Sequence, residues 1–134
     1  LRGDMIEQND NRIVRGLNTK YTISHKLFNM NNKFSLGTSF RADDIVNDLW
    51  QSPNRVRRKV NANSLIHQRS NAVFVNEVFR FNDQFRAEVG LRYDYLIFDV
   101  EDLIPGDSTR QNYSGFNYQS SFNPTLNLIY TVNS

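Results

Sequence analysis

The chain has 134 residues, with 16 basic and 14 acidic side chains and a formal net charge of +2. This length suits one domain of ordinary size, and the mixed charge gives no indication of general nucleic-acid binding. The absence of cysteine excludes a disulfide scaffold, thiolate catalysis and cysteine-ligated metals. The sequence contains no long apolar run, so no transmembrane helix is predicted.

The N-terminal stretch LRGDMIEQND has neither a basic start nor an apolar segment, so it predicts no signal peptide. On this ground, either the protein stays in the cytoplasm or the chain begins after its targeting region. Residues 1–12 are polar and predict an irregular segment. The RGD triplet at residues 2–4 is interpreted as accidental rather than as an adhesion motif.

Two strands are predicted next, joined by a tight turn. The stretch GLNTKYTISHKLF alternates apolar and polar side chains with a period of two, which is the pattern of a β-strand with one apolar face. The following NMNN predicts a turn, because Asn tolerates left-handed backbone. The next stretch, KFSLGTSFRADDI, resumes the alternation and predicts the second strand.

Residues 46–69 are polar and predict a long loop that contains the basic run RVRRKV. Such a run could contact an anionic ligand or the lipopolysaccharide phosphates of the outer leaflet. A solvated loop is the preferred interpretation, and nucleic acid fits less well because no aromatic residue is interleaved with the charges. The possible contact residues are Arg55, Arg57, Arg58 and Lys59, with Trp50 beside them as an interfacial anchor.

Two further strands are predicted at residues 71–81 and 85–98, with NDQ as the turn between them. The first has apolar residues on both faces, so alternation does not assign the face that meets lipid. The second, FRAEVGLRYDYLIF, keeps one wholly apolar face. At about 3.3 Å per residue and a tilt of about 45°, it reaches a height of roughly 28 Å, close to the apolar band of about 25 Å in a membrane β-barrel.

Residues 99–119 predict a second long loop, with the turn-forming sequences Pro-Gly-Asp and Ser-Gly. The stretch SSFNPTLNLIYTV restores the alternation and predicts a fifth strand. Pro124 lacks an N–H group, so within a sheet it needs an edge, a strand start or a bulge.

The connections alternate short, long, short, long, which is typical of the periplasmic turns and extracellular loops of outer-membrane barrels. Aromatic residues also flank the short turns, Phe28 and Phe34 at the first and Phe81 and Phe85 at the second. An aromatic girdle at a membrane interface has this placement.

The predicted fold class is all-β, with about five antiparallel up-and-down strands that form a segment of a transmembrane β-barrel wall and carry two long extracellular loops. Bacterial barrels have an even number of strands and at least eight, and an open membrane sheet would leave backbone groups unpaired in hydrocarbon. Residues 1–134 are therefore interpreted as a partial barrel domain of a larger protein.

The order AVFVNEVFRFNDQFRAEVGLRYDYLIFDVED, then a loop, then SSFNPTLNLIY resembles the barrel region of TonB-dependent outer-membrane receptors. Its sharpest element is Gly-Leu-Arg-Tyr-Asp at residues 90–94, and the resemblance extends over most of residues 13–132. It implies a large barrel, usually of 22 strands and filled by a plug domain, in the outer membrane of a Gram-negative bacterium. Such receptors take up a scarce siderophore, vitamin or oligosaccharide with energy from the TonB complex.

The resemblance also implies the partners. They are outer-membrane lipid, a small ligand at the extracellular loops, and the TonB complex, which would be contacted through a region absent from this chain. Two alternatives belong to other classes: a passive porin-like barrel, and a soluble β-sandwich or β-barrel binding module whose apolar faces pack on one another. A plug upstream would separate the receptor from the porin.

No motif predicts catalysis, a cofactor or a metal. Glu77, Glu88, Arg92 and Asp94 are interpreted as lumen-facing side chains that pair across neighbouring strands. Paired carboxylates can be proposed as acid and base in many sequences, but nothing in this one sets their separation. The chain is therefore not expected to be an enzyme.

Three aspartates and two histidines were the remaining candidates for metal ligands. Asp43, Asp44 and Asp48 lack the series of oxygen ligands and the glycine turn of a calcium loop, so they predict a polar strand end. His25 and His67 lie far apart in sequence with no ligand pattern. If the face of His25 meets lipid, we expect this residue near an interface rather than at mid-bilayer.

Overall fold

The computed structural model describes residues 5–104 and 111–132, so the RGD triplet at residues 2–4 lies outside the described residues. The strands are β1 (Ile6–Leu27), β2 (Met30–Gln51), β3 (Lys59–Arg80), β4 (Phe85–Asp102) and β5 (Gly115–Tyr130). They form one sheet in the order β1-β2-β3-β4-β5, so each strand pairs with its neighbours in sequence. The predicted all-β, antiparallel up-and-down architecture is confirmed. Within the described ranges, no helix is long and apolar enough to span a membrane.

Contacts within the chain define two units. The loop unit comprises residues 1–15, 41–69 and 96–118, and it contains both longer connections. The turn unit comprises residues 16–40, 70–95 and 119–134, and it contains both tight turns. Each unit includes a part of all five strands, and the two parts differ in side-chain chemistry.

Two tight turns connect strands of the turn unit. Phe28 and Asn29, between β1 and β2, have φ angles of 52° and 58°, the left-handed pair that a type I′ hairpin turn requires. The turn predicted at NMNN, residues 29–32, is therefore wrong in its position. The observed turn consists of Phe28 and Asn29, and Met30 already begins β2. The second turn contains NDQ as predicted, and Asn82 Oδ1 accepts the main-chain N–H groups of Gln84 and Phe85 at 2.9 and 2.7 Å.

The strands are longer than hydrophobic alternation predicts. β1 begins at Ile6, so the predicted irregular segment at residues 1–12 is wrong from that residue onward. The predicted loop at residues 46–69 is also wrong, because only residues 52–58 connect β2 and β3. The loop predicted at residues 99–119 shortens to residues 103–114, of which 105–110 lie outside the described residues. Backbone pairing continues in these stretches although both faces carry polar side chains, and alternation detects a strand only where one face is apolar.

Cross-strand contacts assign the faces of the turn unit. Asn76 Nδ2, on β3, donates to Glu88 Oε1, on β4, at 2.8 Å. Asn76 therefore lies on the same face of the sheet as the polar side chains of β4. Side chains alternate along a strand, so the odd-numbered residues of β3 from Val73 to Phe81 belong to the apolar face. A contact of 2.9 Å between His25 Nε2 and Glu77 Oε1 agrees with this assignment. The structure therefore assigns the apolar face of β3, which alternation leaves open.

Few apolar side chains are buried in the part of the chain that the structure describes. Ala42 and Ile45 are buried in the loop unit, and Ala72 and Ala87 in the turn unit. Long apolar side chains of the turn unit stay exposed, as Leu126 does at 68%. A contiguous exposed apolar face is typical of a surface that meets lipid or another apolar surface.

Gly37 marks a close approach on the polar face of the turn unit. A Cβ atom at this position would lie 2.4 Å from Phe74 Cζ and 2.5 Å from the carbonyl oxygen of Thr19. The Phe74 ring therefore occupies the space that a side chain at residue 37 would fill. Glycine is required here by the contact of a neighbouring ring and backbone.

Pro124 lies within β5.

Candidate functional site

The polar face of the turn unit carries three of the four residues predicted to line a lumen, Glu88, Arg92 and Asp94. The fourth, Glu77, lies on the opposite, apolar face beside His25. Arg92 Nη2 donates to Asp94 Oδ1 at 2.7 Å, and Asn123 Nδ2 donates to Asp94 Oδ2 at 3.1 Å. Glu88 accepts from Asn76 at 2.8 Å and from Asn127 Nδ2 at 3.5 Å. These bonds connect β3, β4 and β5, so the polar side chains of this face satisfy one another across the strands.

On one face of the loop unit, Asp43 is the centre of an ion-pair group. Its carboxylate is 1% exposed and accepts two bonds from Arg41, both at 2.8 Å. Arg12 lies 4.0 Å from the same carboxylate and 3.8 Å from Asp10. Paired charges of this kind let a polar strand surface persist without an apolar core.

Asp44 points to the opposite face of the loop unit, because neighbouring residues of a strand alternate. It accepts from His67 Nδ1 at 2.7 Å and from Arg69 Nη2 at 2.8 Å, and Arg15 Nη1 lies 3.6 Å away. The structure therefore separates Asp43 from Asp44, and the predicted polar strand end is wrong, because β2 continues beyond both aspartates to Gln51. It also gives His67 a partner 23 residues away in sequence, which spacing alone does not show.

Trp50 and the basic run meet at the connection between β2 and β3. The Arg57 guanidinium lies 5.4 Å from the centroid of the Trp50 ring, within range of a cation–π contact. Arg57 Nε also donates to Glu7 Oε1 at 3.0 Å, and Arg57 Nη2 donates to the same oxygen. The hydrogen bonds from Arg57 hold the pKa of the Glu7 carboxyl below its ordinary value, with a smaller contribution in the same direction from Ser52.

The other cations of the run extend into solvent. Arg55, Arg58 and Lys59 are exposed, and none of them forms an ion pair with another described residue. Arg57, by contrast, is neutralised by Glu7. Three of the four predicted basic contact residues are therefore available to an external anion, and the fourth orders the base of the connection.

His25 and Glu77 form a polar pair on the apolar face of the turn unit. Their side chains are 34% and 17% exposed, and the pair lies near the end of β1 that adjoins the first tight turn. Phe81 stacks on Phe85 with ring centroids 5.2 Å apart at the second turn. The sequence predicts no partner for His25, because Glu77 is 52 residues away. The two side chains meet only because β1, β2 and β3 are neighbours in the sheet and their register brings them to the same face.

Across residues 5–104 and 111–132, no three His, Asp or Glu side chains converge as metal ligands would. The carboxylates instead form hydrogen bonds with arginine, histidine and amide groups, as in the Asp43 and Asp44 groups. The chemistry of the described surface is therefore that of ion pairing and amide hydrogen bonding.

Comparison with known families defines the class of the protein. The sequence model described as TonB dependent receptor-like, beta-barrel matches residues 2–134. The chain thus belongs to the β-barrel family of TonB-dependent receptors, as the resemblance at residues 90–94 predicts. This is a family of outer-membrane receptors and transporters of Gram-negative bacteria, and it is not an enzyme family. No match to a curated protein was found.

Proposed function

We propose that the chain forms part of the wall of an outer-membrane barrel that takes up a scarce ligand with energy from the TonB complex. The ligand class is a siderophore, a vitamin or an oligosaccharide. The observation that carries the proposal is the apolar face of the turn unit, which continues across all five strands while the opposite face is polar. Family membership supports the role of receptor and transporter.

The apolar face has the dimensions and composition that a bilayer requires. In β4 it extends over 11 residues, from Phe85 to Tyr95, within the usual range of about 9–11 residues for a membrane-spanning strand. Large apolar side chains on it are exposed, among them Val89 at 46% and Leu128 at 64%. Lipid would cover these side chains, and the polar pair His25 and Glu77 would lie at the interface beside the tight turns.

The polar face is proposed to line the lumen, with Glu88, Arg92 and Asp94 on its surface. Glu88 and Asp94 accept hydrogen bonds from Asn76, Asn123 and Asn127 on the neighbouring strands, and such cross-strand bonds suit the wall of a barrel that encloses a plug. The tight turns would lie at the periplasmic side and the longer connections outside the cell, as in other barrels of this kind.

Arg55, Arg58 and Lys59 are proposed as contacts for an anionic ligand or for lipopolysaccharide phosphates at the outer connection, and Trp50 as the anchor below them. Arg57 supports the connection through Glu7 and Trp50. The triple variant Arg55→Gln, Arg58→Gln and Lys59→Gln is expected to weaken binding of purified lipopolysaccharide to the intact protein. Equal binding by the triple variant and the wild type would contradict these contacts.

Uptake experiments test the proposed transport directly. The gene is deleted in the native bacterium, and growth is compared on media in which one nutrient is limiting: a ferric siderophore, a vitamin or an oligosaccharide. We expect a growth defect on one of these media, and the same defect after inactivation of TonB. A passive porin-like barrel would give a defect that TonB inactivation does not reproduce, and that result would overturn the proposal.

A further inference from the structure

Four cations lie together at the end of the polar face that adjoins the tight turns. They are Lys26, Lys33, Arg80 and Arg86, all exposed, and none forms an ion pair with another residue of the described ranges. Arg92 on the same face is paired with Asp94. Lys20, on the same face of β1, likewise has no ion pair among the described residues, so the tight-turn end is distinguished by a cluster of four such cations.

Two cavities occupy this end of the polar face. The first, of about 470 Å³, is lined by Lys26, Lys33 and Arg80 together with the amide of Asn31. The second, of about 380 Å³, is lined by Arg80, Arg86 and Asn31, and also by the amides of Asn82 and Gln84. Arg80 thus borders both cavities, and among the described residues that line them Asp83 is the only carboxylate.

We propose that the tight-turn end of the polar face binds a small solute that carries two or more oxyanion groups, either carboxylates or phosphates. Lysine and arginine form their strongest hydrogen bonds with such oxygens, and the neighbouring amides supply further donors. Cavities of this volume match those of small-molecule sites. The site differs from the outer connection that carries Arg55, Arg58 and Lys59, and its binding does not depend on energised uptake.

Calorimetric titration of the intact detergent-purified protein with pyrophosphate and with citrate tests the site at low ionic strength. We expect saturable binding of at least one of these probes, weakened about tenfold or more in Lys33→Gln and in Arg80→Gln. Lys33→Arg keeps the charge and is expected to keep the affinity. Lys20→Gln is the matched control, because it removes one cation from the same face of β1 but lies outside both cavities.

Two results would overturn the proposed site. One is the absence of saturable binding of both probes to the wild type. Another is equal weakening in Lys20→Gln and Lys33→Gln, which would mean that the probes respond to the diffuse charge of the whole face. Since the titration needs neither TonB nor transport, its failure is distinguishable from a failure of the uptake experiment.

Discussion

The loop unit and the turn unit contain parts of the same five strands but stabilise them by different chemistry. In the turn unit, one face is apolar and exposed while the other is held by amides and carboxylates, as in the bond between Asn76 and Glu88. In the loop unit, both faces carry ion pairs, centred on Asp43 on one face and on Asp44 on the other. Strand pairing therefore continues both where one face is apolar and where both faces carry charged side chains.

The comparison also shows where each kind of residue is needed. Apolar side chains that would be a liability in water are suited to lipid. Exposed ion pairs contribute little stability each, but a network of them keeps a polar surface ordered and soluble. The change from one surface to the other along β2 occurs between Phe40 and Asp44, where the chain passes from the turn unit to the loop unit.

The largest expected effect comes from placing a charge on the apolar face of the turn unit. Leu126→Arg is expected to lower the free energy of unfolding by about 2–4 kcal/mol in lipid vesicles, because an arginine near the bilayer midplane is poorly solvated. Asn127→Arg is the matched control, since its side chain lies on the opposite face beside Glu88. Urea unfolding of the intact protein in vesicles gives both values, and equal losses in the two variants would contradict the assignment of faces.

A smaller loss is expected where the polar face of the turn unit is most tightly packed. Gly37→Ala should destabilise the protein by about 1–3 kcal/mol, because the new methyl group would overlap the Phe74 ring and the Thr19 carbonyl. Gly115→Ala is the control, since a Cβ atom there has no neighbour within 4 Å. The same unfolding measurement applies, and an unchanged stability of Gly37→Ala would show that the contact relaxes without cost.

The polar pair on the apolar face gives the next effect. His25→Leu leaves the carboxylate of Glu77 without its partner, and we expect a loss of about 1–2 kcal/mol. The double variant His25→Leu and Glu77→Leu should recover most of this loss, because neither polar group then remains unpaired. A double-mutant cycle in vesicles measures the coupling, and a coupling of zero would mean that the two groups do not stabilise each other.

The smallest effect is expected in the loop unit, at the exposed pair of Arg57 and Glu7. The pKa of Glu7 is lowered in the folded protein, so its stabilising contribution is present above the ordinary carboxyl pKa and is lost as the pH falls through the folded value. The stability difference between the wild type and Glu7→Gln should therefore vanish in acid, and also in about 1 M salt, which screens exposed charges. A difference that persists under both conditions would contradict an electrostatic origin.

The sequence was most informative where one face is apolar. Alternation from Phe85 to Ile97 predicts β4, and NDQ predicts the turn before it. Alternation fails at residues 6–12, 46–51 and 59–70, because strands with two polar faces have no hydrophobic period although their backbones are paired. The loops were consequently predicted longer than they are.

Side-chain partners on different strands could not be predicted from the sequence, for a different reason. The contacts of His25 with Glu77 and of His67 with Asp44 depend on the register of strands that are far apart along the chain. A shift of one residue in register would put each side chain on the other face. Within the predicted lumen-facing set, Glu88, Arg92 and Asp94 could be grouped because they share one face of a single strand. Glu77, on β3, was grouped with them although its side chain lies on the opposite face beside His25.

Cysteine scanning of β4 tests the central claim, that one face of the turn unit meets lipid and the other meets water. The chain contains no cysteine, so single substitutions at residues 85–95 can be labelled in native outer membranes with a water-soluble maleimide. We expect a period of two, with labelling at even positions such as Glu88→Cys and protection at odd positions such as Val89→Cys. Equal labelling on both faces would contradict the account and would favour a sheet that does not contact the bilayer.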